Sequence, residues 1–373
     1  MQKKELHIVS FENPFPPDFG GVIDVYYKVK ALHSLGFTIY LHCYYEDRCE
    51  VSSSLKAITE KVYLYKKNKN PFFVFSKYPL PVVCRFDKSL IENIKKHDAP
   101  ILFEGLHSTM ILRKAELDNK KYLRLHNIES NFYFGMSKSE TNLVKKIVYY
   151  FVAQKYLDYQ KTIADFDCTF ALSRYEFDEA KKITKSCVYV PVFHGNESSK
   201  ELSEFGNYAF YHGDLRLSDN KRAALFLIEV FREIPDYNLI IASSNGKDLI
   251  EAKSKTLSNV KFVEIESENH LDELFANAHI NTMLSFQESG TKLKVINSLF
   301  KSRFCLINKH MVDDENVLSL CEIAENKQDF IDKVNVLKTK PYNQNEIRKK
   351  VLMNVLNDKE NAKRIEEKII FDQ

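Results

Sequence analysis

The sequence has no C-x-x-C pair, no glycine-rich dinucleotide fingerprint, no internal repeat, and no apolar run near the ~18 residues that a membrane-spanning helix needs. Each absence removes a class. The seven cysteines (Cys43, Cys49, Cys84, Cys168, Cys187, Cys305 and Cys321) are odd in number and unpaired in spacing, so neither a disulfide framework nor a zinc site is expected, and a reducing compartment is. Without G-x-G-x-x-G there is no case for NAD. Net charge is only +3, with lysines and carboxylates interspersed, so no nucleic-acid partner is expected. Met1-Gln2-Lys3-Lys4 runs directly into a strand pattern with no apolar leader. The expectation is therefore a cytoplasmic protein, with any membrane association peripheral at the inner face.

What is present is 44% hydrophobic and 28% charged residues over 373 positions, enough for about two ordinary domains. Residues 6–11 read as a buried strand, 13–21 as a proline-rich loop ending in Gly20-Gly21, and Val22, Val25, Tyr26, Val29, Leu32 and Leu35 as one face of a helix. Further apolar strands at 38–43, 61–65, 101–104, 121–126, 168–172 and 187–190 alternate mostly with helical stretches. That pattern predicts an α/β fold with a doubly wound parallel sheet. Residues 191–206 lose periodicity and read as an interdomain linker. A second series follows, with strands at 208–213, 238–242, 260–263, 280–284 and 304–307. The expected division is an acceptor-side domain over 1–195, a nucleotide-binding domain over 207–343, and one C-terminal helix over 344–373 crossing back to the first. The two Rossmann-like domains are expected to face each other across a ligand cleft.

Residues 286–297, FQESGTKLKVIN, form a strand-to-helix junction with one glycine and two lysines. Gly290 lets a ligand approach bare backbone, and Lys292 and Lys294 at a helix N-terminus suit an anion such as a diphosphate. Solvated surface lysines are the alternative at both positions. Gly20-Gly21 offers the same kind of bare backbone at another helix start.

Several stretches in order resemble the retaining GT-B glycosyltransferases of the family four type (glycosyl transferases group 1). They are the Pro14-to-Gly21 loop, Arg124-Leu125-His126-Asn127-Ile128-Glu129, the Asp165-to-Ser173 strand approach, Tyr211-His212-Gly213 with Asp219-Asn220, and Ser289-Gly290-Thr291-Lys292-Leu293-Lys294. The resemblance implies transfer of a sugar from a nucleotide-sugar donor to a glycan or lipid-linked glycan acceptor with retention of configuration. No cofactor or metal is implied. It places His126, Glu288 and Lys294 in catalysis, and Gly20, Gly21, Gly213, Arg216, Lys221, Ser289, Gly290, Thr291, Lys292 and Asn297 on the donor. Arg124, Asn127 and Glu129 fall on the acceptor or sugar side, with Arg124 either binding phosphate or pairing with Glu129. Where the family has two glutamates with seven residues between them, this chain reads Ser289 and Asn297. Glu288 adjoins the first position, and Asn297 keeps one acceptor oxygen without the charge. A non-catalytic GT-B protein binding nucleotide or glycan, or a sugar-nucleotide epimerase, is the alternative.

Glu104, at the end of another strand, reads as an exposed loop carboxylate, with positioning of an acceptor as the alternative. Residues 66–78 and 145–151 mix lysine with clustered aromatics. Such segments suit a lipid surface or single-stranded nucleic acid, or else an apolar helix face buried in its own domain with lysines outside.

Overall fold

The computed structural model describes residues 4–140, 142–286 and 292–371. The chain divides into two compact units, residues 1–195 with 356–373, and residues 196–355.

The first unit begins with β1 (Glu5–Ser10), α1 (Gly20–Ser34), β2 (Thr38–Tyr45), α2 (Ser53–Ala57) and β3 (Lys61–Lys66). A 3-10 turn at Pro71–Phe75, the short helices α3 (Leu80–Val83) and α4 (Lys88–Ile94), and β4 (Ile101–Glu104) come next. They are followed by β5 (Lys121–Leu125), α5 (Glu129–Ser139), α6 (Leu143–Tyr159), β6 (Cys168–Ala171), α7 (Arg174–Lys181) and β7 (Cys187–Tyr189). All strand pairs are parallel, in the order β3-β2-β1-β4-β5-β6-β7. Helices cover both faces, which is why strands such as Ile101–Glu104 are buried throughout and read as unbroken apolar runs.

The second unit runs β8 (Tyr208–His212), α8 (Ser218–Phe231), β9 (Leu239–Ser243), α9 (Lys247–Ser254), β10 (Val260–Glu264), α10 (Glu268–Asn277) and β11 (Ala278–Met283). It continues with α11 (Leu293–Lys301), β12 (Phe304–Ile307), α12 (Glu315–Leu318), β13 (Cys321–Ile323), α13 (Lys327–Leu337) and α14 (Asn345–Val355). Its parallel sheet is ordered β10-β9-β8-β11-β12-β13. The short edge strand β13 was not expected.

Two expectations need correction. The C-terminal segment is two helices, not one: between them Asn357 turns its side chain back to accept the amides of Lys359 (3.0 Å) and Glu360 (3.2 Å), starting a new helix. The first, α14, stays in the second unit, where Arg348 is buried and donates to the Ser302 and Lys200 carbonyls. The second, α15 (Asp358–Phe371), packs on α1, and Ala362, Ile365 and Ile369 share a core cluster with Val25, Val29 and Leu32.

Residues 191–206 are also no free linker. Phe193 donates its amide to Asp24 (2.9 Å), Gly195 donates to Asp358 (2.8 Å), and His194 Nε2 lies 2.7 Å from the Leu356 carbonyl. On the other side of the division, Lys200 bonds to Phe300 (3.0 Å) and Arg303 to the Ser203 carbonyl (2.8 Å). Polar residues broke the hydrophobic period because their backbone and side chains form these bonds.

Strand order reverses between β1 and β4 in one sheet and between β8 and β11 in the other. Loops leaving the carboxyl ends of such strand pairs diverge and open a crevice, the usual ligand position in sheets of this kind.

Candidate functional site

In the second unit, β8 ends at His212 and passes through Gly213 to α8, while β11 ends near Ser285 and Phe286. The expected site residues Glu288, Ser289, Gly290 and Thr291 lie outside the described residues. Both flanks of that segment are fastened. Asp219, in the first turn of α8, accepts the Ser285 hydroxyl (2.8 Å) and the Phe286 amide (3.0 Å). Asn308 exchanges bonds with the Ser285 backbone at 3.1 and 2.8 Å, and Lys292 donates its amide to Met311 (2.9 Å).

Lys294 follows one residue into α11. Its Nζ donates to Asn220 Oδ1 (3.0 Å) and sits 5.3 Å from the Tyr211 ring centre. Burial pushes this ammonium down to about 8, with Asp219 opposing the shift and Lys292 adding to it. The first turn of a helix disfavours a cation, since the macrodipole there is already positive. No carboxylate forms an ion pair with Lys294 among the described residues. A half-buried cation at a helix N-terminus is stabilised by an anion, and a diphosphate supplies one. Gly213 keeps the crevice tight, since a Cβ there would stand 3.2 Å from Asn220 Cγ and 3.3 Å from the Tyr211 hydroxyl. Burial, with Lys294 and Lys301 nearby, holds the His212 imidazole down at about 3, so it is neutral at physiological pH.

The other expected donor residues are less concentrated. Arg216 is exposed and bound to Asp214 (2.8 Å), whose carboxyl it holds down at about 2 by hydrogen bonding. Lys221 is exposed on α8, Lys292 is half-buried, and Asn297 Oδ1 accepts the Asn196 side-chain amide (3.0 Å). Sequence reasoning missed Arg222, which stacks on the Phe286 ring at 3.7 Å. It also quoted Asn220 only within a motif, although Asn220 is the residue that holds Lys294.

The crevice of the first unit is built differently. Gly21 lets the Phe11 ring lie against α1, where a Cβ would come within 2.7 Å of it, whereas Gly20 has open space around it. Beneath them is a buried charge knot. Lys28 donates to Asp24 and Glu104 at 2.8 Å each. Arg124 binds Asp24 bidentately (3.1 and 2.7 Å) and donates two further hydrogens to the Val190 (2.5 Å) and Pro191 (3.1 Å) carbonyls. Burial opposes the ionisation of Asp24, but Arg124 and Lys28 outweigh it and hold that carboxyl far below its ordinary range. Arg124 is thus corrected: it is fully buried, pairs with Asp24 and not with Glu129, and makes its hydrogen bonds among the described residues inside the fold. Glu104 is corrected as well, since it is completely buried at a strand end and not an exposed loop carboxylate.

His126 rests on this knot. Its Nε2 lies 3.0 Å from Glu104 Oε2, its ring meets Phe11 edge-on at 5.5 Å, and it is 9% exposed, so the carboxylate fixes the ring at the crevice floor. Asp24, Glu104 and His126 together form a set that could hold a metal, with ligand atoms within 4.8 Å of one another. The Lys28 ammonium already occupies the cationic place between the two carboxylates.

Asn127 is half-buried. Glu129, at the start of α5, is buried with neither oxygen in a well-formed hydrogen bond, although His107 Nε2 approaches to 3.4 Å. Burial and then repulsion from Glu176 push its carboxyl up to about 8. His107 in turn is held neutral by burial and by Arg85.

No family model matches the sequence. An uncharacterized 44.6 kDa protein in the cps region of Klebsiella pneumoniae is 26% identical over 320 residues, covering 80% of this chain and 81% of that one. Among solved structures, sucrose-phosphate synthase from Thermosynechococcus elongatus is similar at a TM-score of 0.68 and 12% identity, covering 98% of both chains. A trehalose-6-phosphate protein from E. coli bound with UDP-2-fluoro glucose is similar at 0.66 and 9%, again over 98% of each chain. HepE from Anabaena in complex with UDP follows at 0.62 and 11%, over 98% of each. These likenesses show the fold: two Rossmann-like domains of the GT-B glycosyltransferase type.

Proposed function

We propose that this chain is a glycosyltransferase that moves a sugar from a nucleotide-sugar donor to a glycan or lipid-linked glycan acceptor, with retention of configuration. The observation that carries the reading is Lys294, half-buried at the first turn of α11, its ammonium held among the described residues by the neutral Asn220 and Tyr211 and by no carboxylate, and set at a topological switch point. The UDP and UDP-2-fluoro glucose bound to structural neighbours both carry the diphosphate that this cation suits.

In this reading Lys294, Lys292 and the amides at the start of α11 stabilise the departing diphosphate as the glycosidic bond breaks. The acceptor oxygen bonds to the anomeric carbon on the same face, and its proton goes to the leaving phosphate, so no carboxylate nucleophile is required. His126, oriented by Glu104, contacts a sugar hydroxyl. Glu129, protonated when its crevice is closed to water, donates a hydrogen bond to another.

The test is a panel of UDP-, GDP- and ADP-sugars, read first by melting temperature and then by transfer to glycan acceptors. A donor in excess of its Kd raises the melting temperature. If no donor raises it and none is consumed, the reading fails. A second reading, donor binding without turnover, draws on Asn297, whose only amide oxygen is already engaged by Asn196. Full binding with no product from any acceptor would establish it. Product formed without an acceptor would instead indicate an epimerase.

A further inference from the structure

Helix α6 carries two apolar stripes. Val152, Tyr156 and Tyr159 are buried in the core of the first unit. The other stripe, Val144, Ile147, Val148 and Phe151, recurs at i, i+3, i+4 and i+7 and faces solvent, with exposures of 71, 57, 38 and 59%. One such stripe is all a helix needs to dock on its own domain, so the second is unexplained by folding. The expected alternative, an apolar face buried inside the domain, is corrected by these exposures.

The exposed stripe continues onto the Pro71–Phe75 turn, because Lys155 donates from α6 to the Val74 carbonyl at 2.8 Å. In that turn Phe73 packs into the core, while Phe72 and Phe75 point outward at 73 and 84% exposure. Lysines border the patch on both segments. Lys145 and Lys146 are exposed on α6, and Lys66, Lys69 and Lys77 are exposed around the turn. Of these, Lys69 is matched by a carboxylate, Glu46, at 2.6 Å.

We infer that this surface docks the protein on an anionic lipid bilayer, with Phe72, Phe75 and the Val144–Phe151 stripe entering the interface and the lysines meeting headgroups. The charge decides the occupant. A two-fold contact between copies would set these lysines against their own equivalents, whereas an anionic surface meets all of them favourably and asks for no shape complementarity. The surface uses none of the residues assigned to sugar transfer, so the inference stands or falls independently of it.

The experiment is flotation of the full chain with vesicles of phosphatidylcholine containing about one-third phosphatidylglycerol, against phosphatidylcholine alone. Two variants are compared, Phe72→Ser/Phe75→Ser and Lys145→Glu/Lys146→Glu, each at fully exposed positions and checked for an unchanged melting temperature. The wild type should float with the anionic vesicles, less so in high salt, and each variant should lose about tenfold or more of the bound fraction. Absence of flotation, or variants that float as well as wild type, overturns the proposal. A concentration-dependent doubling of mass that the variants abolish overturns it too, in favour of a second copy.

Discussion

Lys294 and Asp24 are both charged residues near a helix start, and their surroundings give them opposite employment. Among the described residues Lys294 meets only the neutral Asn220 and Tyr211, and its ammonium is pushed down to about 8. Donor affinity should therefore fall as pH rises through about 8, where the cation is lost, and Lys294→Ala should remove both that step and most of the binding, on the order of tenfold or more. Isothermal titration with the donor identified by thermal shift checks both. A pH-independent affinity would place the clamp elsewhere. Asp24, in contrast, is saturated by Lys28, Arg124 and the Phe193 amide. Asp24→Ala leaves two buried cations short of a partner and should cost about 3–5 kcal/mol of unfolding free energy in chemical denaturation. Lys294 could be picked out in the sequence because its loop chemistry is local. Asp24 and Lys28 could not, since at i and i+4 they look like an ordinary surface pair. Their burial is decided by Glu104, 76 residues beyond Lys28, and Arg124, 100 residues beyond Asp24. The same distance hid Glu104, whose strand is too short to show which way its last side chain would point.

At the scale of elements, most strands and the helices between them were readable, because buried parallel strands are continuous apolar runs. The failures share a cause. The 3-residue β13 is too short to show a period, and the start of α15 depends on a side-chain cap at Asn357 inside a helical-looking stretch. α6 misled because periodicity reports an apolar stripe without saying what covers it. Turns carry their own constraint, clearest at Gly105, which joins β4 to the His107 segment with φ 68° and ψ 159°, a region essentially closed to other residues. A Cβ there would also come within 2.7 Å of His107 Nδ1. Gly105→Ala should lower stability by about 1–3 kcal/mol in urea titration, whereas Gly20→Ala, with open space around it, should leave it nearly unchanged.

At the scale of the whole molecule, buried titratable groups set the pH range of stability. His7, His42 and His107 are held neutral mainly by burial, and His212 is pushed down to about 3. Below about 6.5 the unfolded chain takes up protons that these folded imidazoles refuse, so each costs up to about 1.4 kcal/mol per pH unit as pH falls. Glu129 acts with the opposite sign. Its carboxyl, at about 8, holds a proton in the fold that the unfolded chain has released, so stability declines as pH rises from the ordinary carboxylate range toward 8. The histidines outnumber Glu129 on the acid side. The melting temperature should peak near pH 6.5, fall steeply toward pH 5 and decline gently toward pH 8, and Glu129→Gln should flatten the alkaline limb. A scan of melting temperature against pH decides this, and a flat acid limb would sink it.

Packing of α15 on α1 also sets an order of events during synthesis. Asp24 emerges early from the ribosome, yet its last partner, the Phe193 amide, arrives about 170 residues later. The core beside α1 waits longer still, for Ala362, Ile365 and Ile369. The second unit, by contrast, is contiguous in the chain and complete at residue 355. The first unit therefore begins before the second and is completed after it, and until α15 emerges the nascent chain carries an uncovered apolar face that chaperones would recognise.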